Sequence, residues 1–153
     1  MLYFKDNRFH IGGLSYALPE EVFIITDYER NLNNGFAFKD INENITVTVE
    51  TSKGLCENYF SSEEFTENGF TVEKSAPFGY SDIMGVSAIY NSKYNIYYEI
   101  RLNLPMPTNK ENILVILIEA KRGQASIEDI KTTRFIIDFL LSLKKDITAP
   151  ILL

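Results

Sequence analysis

Tryptophan is absent from these 153 residues, and cysteine and histidine occur once each, as Cys56 and His10. A lone cysteine closes no internal disulfide, which fits a reducing compartment. One histidine and one cysteine are too few for a zinc site built from the usual nitrogen and sulfur ligands. Any catalytic triad or Cys–His dyad would have to use His10. That residue stands between Phe9 and Ile11, so strand alternation turns it away from the core, and a surface or edge histidine is expected rather than a base. Cys56 falls in the first turn of an expected helix, where a small buried hydrophobe is the plainer role. No catalytic residue, no metal and no cofactor are expected.

Positive charge is also scarce, with 15 Lys and Arg against 21 Asp and Glu and a net charge of −6. The deficit lies in residues 1–75, which hold 13 acidic and 6 basic side chains, whereas residues 76–153 hold 8 and 9. A nucleic-acid binder needs a basic stripe to displace counterions along the phosphates, and none is visible. Long apolar runs are missing as well. The longest, Ile113–Ile118, falls far short of the roughly 18 residues of a membrane span. The opening MLYFKDNRFHIGG is broken by Lys5, Asp6 and Arg8 and shows no signal-peptide core. These features predict a cytoplasmic protein without a membrane span.

Phosphate and calcium motifs fail on inspection. Gly12-Gly13 is too short to cradle a phosphate, and neither GxxxxGK[ST] nor GxGxxG occurs. Asp40, Asn42 and Asn44 copy the first three ligand positions of an EF-hand loop. The sixth position is Ile45 instead of Gly, however, and the twelfth is Thr51 instead of Glu. Glu20-Glu21 and Glu63-Glu64 are adjacent pairs whose side chains point apart. A carboxylate couple brought together from distant elements stays open.

The chain is instead rich in rings, with 11 Phe and 9 Tyr, and is 45% hydrophobic. Its length predicts one domain over residues 1–153. Leu2–Phe4 and Phe9–Ile11 have the pattern of short strands, with Gly12-Gly13 as a turn, and Leu18-Pro19 opens a piece ending in Val22–Ile25. Asp27–Gly35 is polar and Asn-rich, a loop signal. Phe36 and Phe38 alternate on one hairpin arm, and Ile45, Val47 and Val49 on the other. Leu55–Phe65 is expected to be a helix stopped by Asn68-Gly69. Phe70–Val72 and Ile83–Tyr90 follow as strands, with Gly85 marking a bulge or a close approach. From Tyr94 to Leu104 apolar and polar residues alternate without a break, which no helix face can do. Ile113–Ile118 predicts a central strand buried on both faces. A final helix is expected from Ser126 to Lys145, with a capping box from Ser126 and Asp129 and a polar stripe of Lys131, Arg134, Asp138, Ser142 and Lys145. Together these predict an α+β fold, a mainly antiparallel sheet of about six to eight strands with two main helices packed against it.

The order of these parts, from Phe9-x-Ile11 through Leu18-Pro19, the Phe36–Val49 hairpin, the Leu55–Phe65 helix, the Gly85-centred strand, Tyr94–Leu104 and Ile113–Ile118 to the closing Leu140-Leu141-Ser142-Leu143-Lys144, resembles the Mog1/PsbP-like superfamily, including the bacterial DcrB-like (DUF1795) domains. Glu20-Glu21-Val22 follows the Leu-Pro, where that family often has a small residue and an aromatic. The resemblance implies an antiparallel sheet with helices packed against it. It also implies a mostly non-enzymatic role, as an assembly factor, a lipoprotein domain or an adaptor. Some bacterial members are cytosolic adaptor chaperones that hold hydrophobic segments of secreted toxins.

Tyr97, Glu99 and Arg101 lie on the polar side of the surest strand. If no helix covers that side, they are the candidate binding surface, since tyrosine and arginine favour interfaces. The plainer alternative is a cross-strand charge pair on a solvated face. The apolar C-terminus, Ala149–Leu153, is expected to fold back on the domain. The function expected is a non-enzymatic binding or adaptor domain whose partner is another protein, with a homodimer compatible. An adaptor chaperone or immunity-type protein of a toxin system, and an enzyme with a carboxylate-based site, are the competing expectations.

Overall fold

Two hairpins open the chain. A computed structural model describes residues 2–20, 22–25, 35–40, 44–54, 69–80, 83–123 and 126–145. Strands β1 (Leu2–Lys5), β2 (Arg8–Ile11) and β3 (Leu14–Tyr16) form an antiparallel meander. Both connections are two residues long, Asp6-Asn7 at φ 54° and 60° and Gly12-Gly13 at φ 58° and 84°. Two successive positive φ values give the turn whose twist matches the flanking strands. Strand β11 (Lys144–Lys145) pairs with β3 and completes a four-stranded sheet.

The second sheet has seven strands, again all antiparallel. They are β4 (Val22–Ile25), β5 (Gly35–Asp40), β6 (Ile45–Ser52), β7 (Thr71–Tyr80), β8 (Ile83–Asn91), β9 (Asn95–Asn103) and β10 (Ile113–Lys121). Their spatial order is β4-β5-β6-β10-β9-β8-β7. Strand β10 lies in the middle, with Ile116 opposite Val49 on one side and Ile100 on the other. Ile113 through Ile118 are all buried, as a strand covered on both faces requires.

One face of the seven-stranded sheet carries Phe36, Phe38, Val47, Val49, Ile100, Leu102, Leu114 and Ile116. The four-stranded sheet covers it with Ile11, Leu14 and Tyr16, and helix α2 (Arg134–Leu141) with Phe135, Ile136 and Phe139, all in one buried cluster. Tyr16 is its pivot. Its ring meets Phe139 edge-on at 4.8 Å and lies 6.0 Å from Phe36, while Phe9 stacks on Phe36 at 4.4 Å. Arg8 locks the arrangement from outside: its Nη2 donates to the Ser142 carbonyl at the end of α2, and its Nε to Ser15 Oγ at 3.1 Å.

The expectation of a sheet of six to eight strands under two main helices is overturned. The described residues form eleven strands in two sheets, with two short helices, α1 (Ile127–Thr132) and α2. Much of what was expected to lie under helices lies under a second sheet. The expected Ser126–Lys145 helix is interrupted at Thr133. Its hydroxyl takes the Asp129 carbonyl at 2.5 Å, and its own N–H turns to the Ile130 carbonyl at 3.3 Å. A hydroxyl that competes for an i−4 carbonyl bends or breaks a helix. The capping box from Ser126 and Asp129 is present. Beyond α2 the chain becomes β11 instead of continuing as helix. Ser142, expected on the polar stripe, turns inward and accepts from the Ala17 N–H at 2.9 Å. The expected helix Leu55–Phe65, with Cys56 and Glu63-Glu64, lies outside the described residues, as do Asn42 and the tail Ala149–Leu153. The same holds for most of the expected loop Asp27–Gly35, of which only Gly35 is described, at the start of β5.

Gly85 marks a close approach, with no room for a side chain. A Cβ there would fall onto the Arg101 carbonyl of β9. Gly85→Ala should therefore force β8 and β9 apart and cost about 1–3 kcal/mol or more, seen as a lower urea midpoint at unchanged slope. Tyr16 provides a second test, because its buried hydroxyl has no hydrogen-bond partner among the described residues. Burial pushes its phenol well above the ordinary value of 10.0. The unfolded chain ionises this group near that ordinary value while the folded chain does not. The stability tied to it is therefore complete below about pH 10 and is lost as the pH climbs beyond. Tyr16→Phe should leave stability at pH 7 level or raise it by about 1 kcal/mol, and should soften the fall in stability above pH 10. A steeper alkaline loss in the variant, followed by urea unfolding across pH, would contradict this account.

Candidate binding site

Alternation along β9 sends Ile96, Tyr98, Ile100 and Leu102 into the core shared by the two sheets, and Tyr97, Glu99 and Arg101 to the opposite face. That face is not open. Glu99 retains 5% of its exposure and Arg101 6%, and Tyr97 is also buried. The register shows why the charges meet. Glu99 lies between Leu117 of β10 and Ala88 of β8, and Arg101 between Val115 and Val86. With apolar neighbours on both flanks, each charge turns along its own strand. Arg101 Nε donates to Glu99 Oε2 at 2.5 Å, and the Tyr90 hydroxyl donates to Glu99 Oε1 at 2.8 Å.

Rings close the end of this cluster. Tyr90 stacks on Tyr97 at 4.9 Å, and Phe70 meets both edge-on at 5.4 and 5.6 Å. Asn95 Nδ2 donates to the Tyr97 hydroxyl at 3.1 Å. The structure thus brings the three sequence-predicted residues together in a buried, neutralised group. Both carboxylate oxygens of Glu99 are engaged, which fixes the orientation of the side chain. Such a pair organises a face and offers no free acid or base.

His10 departs from its expected surface position. It is buried, its ring stacks on Tyr3 at 4.7 Å, and Nε2–H donates to the Lys5 carbonyl at 3.1 Å. The outer side of the small sheet is closed here by Tyr3 and by Arg8 reaching across Ser15. The Asp40–Asn44 turn resolves at Asp40, whose Oδ1 accepts from the Ile45 N–H at 3.0 Å, as a hairpin turn does. Among the described residues, no cluster of three or more His, Cys, Asp or Glu is placed to hold a metal. No helix among them is long and apolar enough to cross a membrane.

Exposed large apolar side chains occur on several elements, among them Met84, Tyr94, Met106, Ile137 and Leu141, and three lie on edge strands. Phe4 of β1 is 58% exposed, Phe23 of β4 42% and Ile24 of β4 46%. Phe4 meets Phe9 at 5.0 Å, Phe9 stacks on Phe36, and Ile24 stands directly opposite Phe38 on β5. An apolar strip therefore runs out of the core at both ends, to Phe4 on the edge of one sheet and to Ile24 on the edge of the other. Sequence reasoning missed this rim, because Val22–Ile25 is apolar throughout and has the composition of a buried strand. The one available signal was that this short run is bracketed by Glu20-Glu21 and Asp27.

No protein-family model matches the chain, and no curated protein matches it. It is similar to a crystal structure from Bacteroides thetaiotaomicron VPI-5482 determined at 1.50 Å resolution, with a TM-score of 0.45 and 12% identity. The match covers 89% of this chain and 46% of that one, so the chain spans about half the length of that structure.

The buried pair predicts an asymmetric mutational response. Glu99→Leu or Arg101→Met alone removes this partner from the remaining buried charge and should cost about 3–5 kcal/mol, whereas the two substitutions combined should cost much less than the two single losses together. Urea denaturation of the four proteins checks this, and additive losses would show that the two groups do not act as a pair.

Proposed function

We propose that this chain is a non-catalytic protein-binding domain whose contact surface is the apolar rim of Phe4, Phe23 and Ile24. The observation that carries the proposal is the exposure of these three large side chains on edge strands, Phe4 and Ile24 at the two ends of the ring series Phe9, Phe36 and Phe38, and Phe23 on the other face of β4 opposite Lys39. Large apolar side chains left open at a sheet edge are candidates for a protein contact. Tyr97, Glu99 and Arg101 are buried and take no direct part in that contact. The acidic balance, −6 overall, favours a protein partner over nucleic acid. The single cysteine favours the cytoplasm.

Site-specific photocrosslinking in the source cells tests the proposal. A photoreactive phenylalanine analogue replaces Phe4, Phe23 or, as a control on the β8–β9 turn, Tyr94, which is more exposed than either. Discrete adducts with another polypeptide are expected from positions 4 and 23 and not from 94. Adducts at all three positions alike, or at none, would remove the rim as a contact surface.

A further inference from the structure

We propose that Met106 is a redox-sensitive latch: oxidation of its thioether by peroxide releases the β2–β3 turn of the small sheet from the loop that follows β9. The joint between these two parts is built on glycine. A Cβ added at Gly12 would meet Leu104 Cδ2 at 2.5 Å, and one added at Gly13 would meet Met106 Cγ at 3.1 Å and Cε at 3.3 Å. Leu104 and Met106 therefore fill the space that side chains at the two turn positions would take. Both glycines hold the positive φ that the two-residue turn requires. Among the described residues no main-chain hydrogen bond joins the loop to the turn, so the contact is one of packing.

The loop presents its methionine from a braced frame. Pro105 and Pro107 flank Met106 and fix the backbone on either side of it. The Leu104 N–H donates to the Asn112 carbonyl at 3.0 Å, and the Thr108 N–H to the Glu111 carbonyl at 2.7 Å. The Glu111 N–H in turn donates to Thr108 Oγ1 at 2.9 Å. Leu104 is buried, whereas Met106 keeps 43% of its exposure. A dissolved oxidant thus meets a sulfur whose neighbouring methylene and methyl groups rest on the turn.

The reaction is a two-electron oxygen transfer. A sulfur lone pair attacks one oxygen of hydrogen peroxide, the S–O bond forms as the O–O bond breaks, and the departing hydroxide takes the proton left on the transferred oxygen. Methionine sulfoxide and water result, with sulfur oxidised and peroxide reduced. A methionine sulfoxide reductase, with a thiol as reductant, restores the thioether. The sulfoxide is polar and chiral, and its oxygen draws the group toward water and off Gly13. Met84 supplies the contrast. It is 55% exposed and also lies over a glycine, Gly79. Those two residues are register partners in the β7–β8 ladder, however, and main-chain bonds keep that ladder closed whatever the side chain does. Exposure decides which sulfur is oxidised, and what the sulfur rests on decides the consequence.

The test treats the full chain with hydrogen peroxide as two variants, Met84→Leu and Met106→Leu, a swap of similar volume that folded proteins tolerate. Mass spectrometry follows conversion at each methionine, and each variant is compared with its own untreated form. Met1 is common to both and cancels. Oxidation of Met84→Leu, which retains Met106, should lower its melting temperature by about 2–4 °C. It should also speed amide hydrogen exchange across the β2–β3 turn at least about fivefold, and reductase with thiol should reverse both changes. Met106→Leu, which retains Met84, should keep its melting temperature and its exchange rates. Equal shifts in the two variants would overturn the proposal. So would full conversion of Met106 with no shift, or a Met106 that resists peroxide while Met84 reacts.

Discussion

Phe9, Tyr16, Phe36, Phe38 and Phe139 form the seam through which the small sheet and α2 reach the large sheet, and the rest of the architecture depends on it. Each ring comes from a different element or a different turn of one. Phe9 and Tyr16 come from the meander, Phe36 and Phe38 from β5, and Phe139 from α2, with centroids 4.4 to 6.3 Å apart. Pairs of this kind are worth about 0.5–1.5 kcal/mol each beyond the area they bury. The small sheet needs that help. A three-stranded meander of three- and four-residue strands is marginal by itself, and its own turns only aim it. The orphaned hydroxyl of Tyr16 shows which term dominates here. Burying the ring is worth more than leaving the oxygen unpaired costs.

The large sheet meets a different problem on its other face. A strand in the interior of a large sheet must be covered on both sides, yet β9, next to the central β10, places a glutamate and an arginine there. Their flanking residues, Leu117 with Ala88 and Val115 with Val86, offer no polar partner across the strands. The two charges therefore satisfy each other along the strand, and Tyr90 completes the carboxylate. Desolvating such a pair costs much of what its attraction returns. Its effect is less to add stability than to penalise any register that turns the pair into the core. A one-residue slip of β9 would face both charges toward Val49, Leu114 and Ile116 and send Ile100 and Leu102 to the other side.

Sequence periodicity located the strands well where only the backbone and one neighbour decided the outcome. The alternation from Tyr94 to Leu104 and the unbroken Ile113–Ile118 run correspond to β9 and β10. The Asp6-Asn7 dipeptide, whose residues tolerate the positive φ both adopt, is an equally local signal for the first hairpin. What was not legible is tertiary. The polar side of β9 reads as solvated because alternation reports which residues share a face and says nothing of what covers that face. His10 illustrates the same gap, since its burial comes from side chains of neighbouring strands such as Tyr3. Thr133 shows a local version. One hydroxyl taking one carbonyl was enough to divide a helix whose apolar pattern ran straight through it.

The edges of the two sheets complete the physical logic. The described residues, eleven strands in two sheets, leave four sheet edges, and lysine or proline stands at three of them. An unguarded fourth edge, bearing Phe23 and Ile24, would ordinarily invite pairing between copies of the chain. Phe23 and Ile24 face opposite sides of that strand, Ile24 toward Phe38 and the core and Phe23 toward Lys39, so the exposure there belongs to both faces of the large sheet.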